Sequence, residues 1–384
     1  MKSLTLTNIV IYILCIFIFL SALFTSLESP LRYIKYVIFV VIGFFLIFYP
    51  IQKIKFDKSL LQNLLIYGII FTVNLLVSLF NGLLSIRFFE EVILIILPVL
   101  TTLMITGYKY MDYDKLLNRL FFAYVFAFCA FFYKELINIP KLISSFGNAL
   151  RLSEFPTESW MAFPFGLFFI YYLDKKDRIK TVFALIFFLL CFKRISFLAV
   201  IIGYGCYFIF YKLFKLNFNK KLIIRYLVVL NLFLIGNMYL FINGFYSYLI
   251  KQYTGISVNH FTQGRFRIYN DAINYFSEKI VFGNSLGITN IYLSEKFKDI
   301  AFLHSDLLKL ILEIGIILFI FWLISFMVIN LNTKKSIPII IYINILFISD
   351  NVFIYFDTLL VLYIILKAYQ THEDHLPVIK REPI

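Results

Sequence analysis

The sequence predicts an all-α protein that threads a membrane many times, and three observations carry that prediction. Apolar runs near or above eighteen residues recur along the chain, about the length an α-helix needs to cross ~30 Å of hydrocarbon. Of the 384 residues, 61% are hydrophobic and 15% charged, where a soluble chain carries about a quarter charged. The charges that remain sit in short basic clusters between the apolar runs, the mark of cytoplasmic loops. One polytopic domain over residues 1–384 is therefore expected, in place of two or three soluble ones.

About twelve spans can be placed, at roughly 8–26, 36–50, 61–80, 92–108, 118–137, 159–174, 178–192, 195–212, 222–242, 306–330, 337–349 and 352–369. The run after Met1–Thr7 has no convincing cleavage site and reads as a first anchor. Lys53/Lys55/Lys58, Lys109/Lys115/Arg119, Lys175/Lys176/Arg178/Lys180, Lys212/Lys215/Lys220/Lys221 and Lys334/Lys335 all fall on one side under this count. That side is expected to be cytoplasmic and to hold both termini. The tail Thr371–Ile384, with His372 and His375, is expected to fray there. The net charge of +14 invites a nucleic-acid partner, but its distribution follows loop sidedness, so none is expected. Cys15, Cys129, Cys191 and Cys206 all fall within apolar runs, with neither disulfide nor zinc spacing.

One polar passage breaks the pattern. Gly244–His304 reads as a large outer loop, and Asn138–Ser159 as a shorter one. Within the large loop, Arg265–Glu278 places Phe266, Ile268, Tyr269, Ala272, Ile273, Tyr275 and Phe276 mainly on one helical face. That pattern predicts a helix lying at the membrane interface with its aromatics in the headgroup zone. Ser305 is placed to cap the next span, with Asp306 in its first turn where the helix dipole favours a negative charge.

Several residues there could carry chemistry. His304 stands where loop meets helix. It is either a polar helix-start residue or a general base, since histidine's ordinary pKa suits proton removal near neutrality. Asp306, Lys309 and Glu313 share one face of the following helix. Lys309 and Glu313 could neutralise each other at i, i+4, and intramembrane charge in any case faces protein or a wet cavity. Arg151, Lys193, Arg194, Arg265 and Arg267 are basic residues on the expected outer side, against the orientation bias. An arginine there can snorkel to headgroups or grip phosphate oxygens with its planar fork. Asp350 and Asp357 could be counter-ions for Lys193-Arg194 or a second acidic site. There is no Walker loop, no nucleotide-binding glycine motif after a strand and no paired-histidine metal spacing.

His304-Ser305-Asp306-Leu307-Leu308-Lys309-Leu310-Ile311-Leu312-Glu313-Ile314-Gly315 resembles a pattern of the bacterial O-antigen polymerase and O-antigen ligase superfamily. There, His and a small polar residue precede Leu and Glu-x-Gly at the head of a span. Gly264-Arg265, an aromatic-rich helix and then Val281-Phe282-Gly283-Asn284-Ser285-Leu286-Gly287 resemble the passage before it, and Lys193-Arg194 at a span start resembles a third feature. The chain departs from the pattern in having Ile316 after Gly315.

The resemblance implies a type C glycosyltransferase-like fold in the bacterial inner membrane. It implies transfer of a growing O-antigen or capsule glycan from undecaprenyl pyrophosphate to another lipid-linked repeat unit on the outer face. Transfer to lipid A core, by a ligase, and flipping of the same lipid are the alternatives. Arg265, Arg194, Lys193 and Arg151 would hold the pyrophosphate, and His304 would take the proton of the incoming hydroxyl. Asp306, Glu313, Arg267 and Asp350 are the secondary candidates. The expected partners are undecaprenyl-pyrophosphate-linked oligosaccharide, the bilayer, and a chain-length regulator and flippase of the same pathway. No cofactor or metal is expected, because the arginines can carry the leaving-group charge.

Overall fold

Among the described residues, each of the twelve predicted segments contains an α-helix. The computed structural model describes residues 2–27, 34–48, 56–138, 140, 144–145, 155–209, 219–262, 264–297 and 302–374, and among these no strand occurs. In chain order the first helices are α1 (Lys2–Ser26), α2 (Lys35–Ile47), α3 (Lys58–Phe80), α4 (Ile86–Thr106), α5 (Tyr113–Phe131) and α6 (Tyr133–Ile137). They are followed by α7 (Ala162–Lys175), α8 (Arg178–Leu190), α9 (Arg194–Tyr207) and α10 (Lys220–Ile242). The polar passage holds α11 (Ser247–Thr254), α12 (Val258–Phe261), α13 (Arg265–Phe276) and α14 (Ile288–Lys296). The chain then runs through α15 (Asp306–Asn330), α16 (Ser336–Ser349) and α17 (Phe356–Asp374). Leu6–Ser26, Lys58–Phe80, Ile86–Thr106, Lys220–Ile242 and Asp306–Asn330 are long and apolar enough to cross a membrane, and the other apolar helices are shorter.

Short polar residues start the helices as their sequence suggests. The carboxylates of Asp57, Asp112 and Asp177 and the Asn219 amide oxygen accept backbone N–H groups in the first turns of α3, α5, α8 and α10. Helix α16 and the 356–366 stretch of α17 are almost wholly buried, so they form the centre of the bundle. The outer helices turn Ile16, Phe80, Ile179, Ile201 and Phe233 outward. Such exposed apolar surface suits a hydrocarbon surround.

The bundle has two chemically distinct ends. Lys367 pairs with Asp57, Lys175 with Asp114 at 3.0 Å, Lys335 with Asp174 at 3.0 Å, and Lys220 donates to Asn332 at 3.0 Å. These contacts gather the basic clusters that are described at one end. The polar passage lies at the other, where Lys279 donates to Asn81 beyond the end of α3 at 3.1 Å.

Read from sequence, residues 306–330 form one continuous span, but the helix is broken at Gly315, whose φ of 83° and ψ of 160° only glycine adopts readily. The loop Val281–Gly287 fills the break. Ile316 N–H donates to Ile280 O at 3.0 Å, and Asn284 N–H donates to Glu313 O at 2.9 Å. The Asn284 amide donates to Leu312 O at 2.8 Å, and the Asn74 amide from α3 donates to Glu313 O at 3.0 Å. Carbonyls freed by a break inside apolar surroundings need such donors. A Cβ on Gly315 would stand 2.4 Å from Gly283 N, and one on Gly283 would stand 2.4 Å from Ile314 C. The two glycines therefore let two backbones touch.

Helix α13 forms where its pattern predicted, and most of its apolar face packs on protein. Ile268, Tyr269, Ala272 and Phe276 are buried against Ile242, Leu293, Leu303, Leu308 and Leu312. Tyr275 alone of the larger aromatics turns outward, stacked on Tyr292 with centroids 4.2 Å apart. Its packing partners come from α10, α14 and the first half of α15, separate stretches of the chain, so amphipathicity by itself could not distinguish protein from membrane.

Candidate functional site

The site is assembled from four separate stretches. His304 takes a left-handed backbone at φ 53°, unusual for a residue with a side chain. Tyr269 of α13 donates its hydroxyl to His304 O at 2.8 Å, and Ser305 Oγ accepts Leu308 N–H at 3.3 Å as the cap of α15. Asp306 N–H donates to Asp350 O at 3.2 Å, while the Asp306 carboxylate accepts Phe353 N–H at 3.0 Å. The start of α15 is thus sewn to the turn between α16 and α17.

Asp350 is the hub of that turn. Its Oδ2 lies 2.9 Å from Lys193 Nζ, and its Oδ1 lies 4.0 Å from His304 Nδ1. The second distance is an ion-pair separation, too long for a direct hydrogen bond. Arg265 arrives beside them, donating to Ser349 O at 3.3 Å. The Asp350 side chain is 3% exposed and the His304 side chain 41%, so the imidazole opens outward over a buried carboxylate. Burial alone would raise the Asp350 carboxyl, but His304, the Lys193 ammonium and the Asn351 N–H together hold it well below the usual carboxylate range. With Nδ1 turned towards Asp350, Nε2 is the nitrogen not committed to it.

His304, Arg265, Lys193 and Asp350 therefore come together. Other sequence candidates take different places. Arg194 is exposed in the first turn of α9, next to Lys193 in the chain. Arg151 lies outside the described residues. Arg267 points away, its side chain 71% exposed, 4.0 Å from Asp271 and over the Phe297 ring at 5.7 Å. Asp306 is buried as a backbone acceptor. Glu313 is buried too, its Oε1 accepting Thr289 Oγ1–H at 2.5 Å and Thr289 N–H at 3.3 Å at the start of α14.

Lys309 does not neutralise Glu313 through a direct i, i+4 bridge; its ammonium lies 2.7 Å from Glu91 Oε2 on α4. Arg87 reaches the same carboxylate at 3.1 Å, and the Asn290 amide donates to it at 2.7 Å. Arg87 and Lys309 thus balance Glu91 and Glu313, holding the half-helix below His304 against α4 and α14. Sequence reading missed Glu91, although an acidic pair at Glu90-Glu91 heading an apolar run was a signal. It also missed Tyr269, whose hydroxyl is indistinguishable from interfacial tyrosines until its acceptor is known.

Fold and site together define a multi-pass, all-helical membrane protein with a mixed-charge cluster at the end of its bundle that carries the long polar passage. Among the described residues no group of three or more His, Cys, Asp or Glu could hold a metal ion. Comparison with protein-family models, with curated proteins and with solved structures finds no match.

Proposed function

We propose that the chain is a membrane glycosyltransferase that polymerises lipid-linked oligosaccharide on the outer face of a bacterial cytoplasmic membrane. The observation that carries this reading is the convergence of His304, Asp350, Lys193 and Arg265 at the bundle end opposite the basic clusters. It is supported by the resemblance of the His304–Gly315 and Gly264–Gly287 stretches to the O-antigen polymerase and ligase superfamily. About twelve membrane crossings, with the basic clusters in the cytoplasm, belong to the same reading.

The chemistry follows from the residues. A hydroxyl of the acceptor sugar attacks the anomeric carbon of the donor glycan. A new C–O bond forms there, and the bond to the pyrophosphate oxygen breaks, its electron pair leaving with undecaprenyl pyrophosphate. His304 takes the hydroxyl proton through Nε2, and Asp350 faces the imidazolium that results. Arg265 and Lys193, with Arg194 next in the chain, offset the charge that develops on the leaving group. The wet, half-exposed imidazole over a dry carboxylate suits a base that must meet a bulky substrate from outside.

The test is purified protein in lipid discs supplied with undecaprenyl-pyrophosphate-linked oligosaccharide alone. A ladder of lengthening chains is expected. Turnover only on addition of lipid A core would make the chain a ligase, and transbilayer movement without new glycosidic bonds would make it a flippase.

A further inference from the structure

The polar passage begins with a stretch that finds no place in the protein core. None of the described side chains from Asn243 to Ser257 is buried. Phe245 is 66% exposed, Tyr248 75% and Tyr253 81%, and Leu249 and Ile256 are exposed with them. Single exposed apolar residues are ordinary, but a run of large ones at the start of a polar passage marks a contact surface. Within α11, Tyr248, Leu249 and Tyr253 fall inside an arc of about 140°, at ~3.6 residues per turn.

The turn before α11 shows what that surface meets. Helix α10 is long and apolar enough to cross a membrane, and only 11% of it is buried. Its exposed Phe233 and Leu240 share one side with Asn237, at i, i+7 and i+4. Tyr246 folds back over that side, its hydroxyl donating to Asn237 Oδ1 at 2.7 Å. Asn237 lies five residues before Ile242, the last of α10, so the Tyr246 hydroxyl reaches about 8 Å down the flank of the helix. The Asn237 amide donates to Phe233 O at 2.8 Å, and the Asn243 amide donates to Tyr239 O at 3.1 Å. Turning amide donors onto the same helix is what polar groups facing hydrocarbon require and groups facing water do not. The chain thus enters α11 along the lipid-facing flank of α10.

Charge agrees with this placement. From Gly244 to Gly264 there is no Asp or Glu, and Lys251 is the one lysine or arginine. A segment free of carboxylates suits the surface of an anionic bilayer. Helices α13 and α14, which pack on protein, carry Asp271 and Glu295.

We propose that α11 lies in the headgroup zone of the bilayer, with Tyr248, Leu249 and Tyr253 against lipid and Lys251 beside the phosphates. It takes the interfacial place that pattern alone suggested for α13. The segment after it leads directly to the cationic cluster: Asn259 O accepts Gly264 N–H at 2.8 Å, and the Thr262 hydroxyl accepts Phe266 N–H at 3.1 Å. The anchor therefore ties the Arg265 end of α13 to the membrane surface. This holds whether or not the chain is a transferase.

The experiment reads depth in the bilayer. Full-length protein in discs of phosphatidylethanolamine and phosphatidylglycerol carries one nitroxide at a time, on p-acetylphenylalanine replacing Tyr248, Tyr253, Phe233 or Glu295, so the native cysteines stay. Electron paramagnetic resonance compares relaxation by oxygen, which enters lipid, with relaxation by a water-soluble nickel chelate. Phe233 is the hydrocarbon reference and Glu295 the water reference. The oxygen-to-nickel ratio at Tyr248 and Tyr253 is expected to stand severalfold above that at Glu295. A ratio at both sites equal to that at Glu295 puts α11 in water and overturns the proposal. Shielding of both sites from both reagents, with close dipolar coupling between the labels of two chains, means that a second copy covers the face and overturns it too.

Discussion

The two ends of the bundle use charge in opposite ways. At the basic end, Lys335–Asp174 and Lys175–Asp114 are partly exposed cross-helix pairs in which each carboxylate meets a lysine close by. Pairs of this kind contribute little, about 0–1 kcal/mol each, and no helix is broken to make them. At the site end, Glu91, Lys309, Glu313 and Asp350 are all buried, α15 is broken beneath them, and His304 is held at positive φ. Burying charge and bending backbone both cost free energy. The difference teaches that this end is organised around an arrangement of groups, while the other is organised around helix ends.

That contrast can be broken or sharpened experimentally, and the largest effect is expected where backbones touch. Gly315→Ala puts a Cβ into Gly283 and forces a glycine-only conformation, which costs about 1–3 kcal/mol in torsional strain before the clash is counted. We expect little monodisperse protein on fluorescence-detected size exclusion, with Gly283→Ala similarly damaged. Normal yield and melting temperature for both would mean that the break is not built around the glycine contact.

Asp350→Asn leaves Lys193 and His304 without their carboxylate, and removing one partner of a buried pair costs about 3–5 kcal/mol. The pH dependence has a definite sign. The folded Asp350 pKa is depressed, so its stabilisation is fully present above the unfolded value of about 3.9 and is lost as pH falls through the lower folded value. The wild-type advantage over Asp350→Asn should therefore be constant between about pH 5 and 8 and shrink below about pH 4. A gap that closes between pH 5 and 7 would contradict the ion-pair account.

His304→Ala should cost about a hundredfold or more in polymer formation, the usual scale for loss of a general base. His304→Gln should do no better, because an amide cannot accept the proton. Normal polymer from His304→Gln at normal expression would return His304 to the role of a helix-start residue. Arg265→Lys keeps charge but loses the fork, so a partial defect is expected, with Arg265→Ala nearly inactive in the same assay. Equal activity of all three residues at this position would remove Arg265 from the site.

The smallest effect belongs to the opposite end. Lys335→Ala breaks a pair whose lysine side chain is 40% exposed. We expect a loss of about 1 kcal/mol or less in unfolding measurements and unchanged polymer length. A defect comparable to Asp350→Asn would erase the distinction between the ends.

What the sequence by itself determined was periodicity and polarity. Hydrocarbon-length apolar runs and basic clusters follow from local composition, because a helix in an apolar surround satisfies its own backbone wherever it sits. The Ser305 cap and the amphipathic face of α13 are local in the same sense. Tertiary structure alone decided which charges meet: Lys309 turns to Glu91 of α4 instead of Glu313 one turn away, and Lys193 meets Asp350 across the bundle. It also decided that α13 faces protein, and that α15 breaks at Gly315 because Asn74 and Asn284 stand ready to take its freed carbonyls. Pairings between residues far apart in the chain leave no periodic trace. They exist only once the helices have been brought side by side.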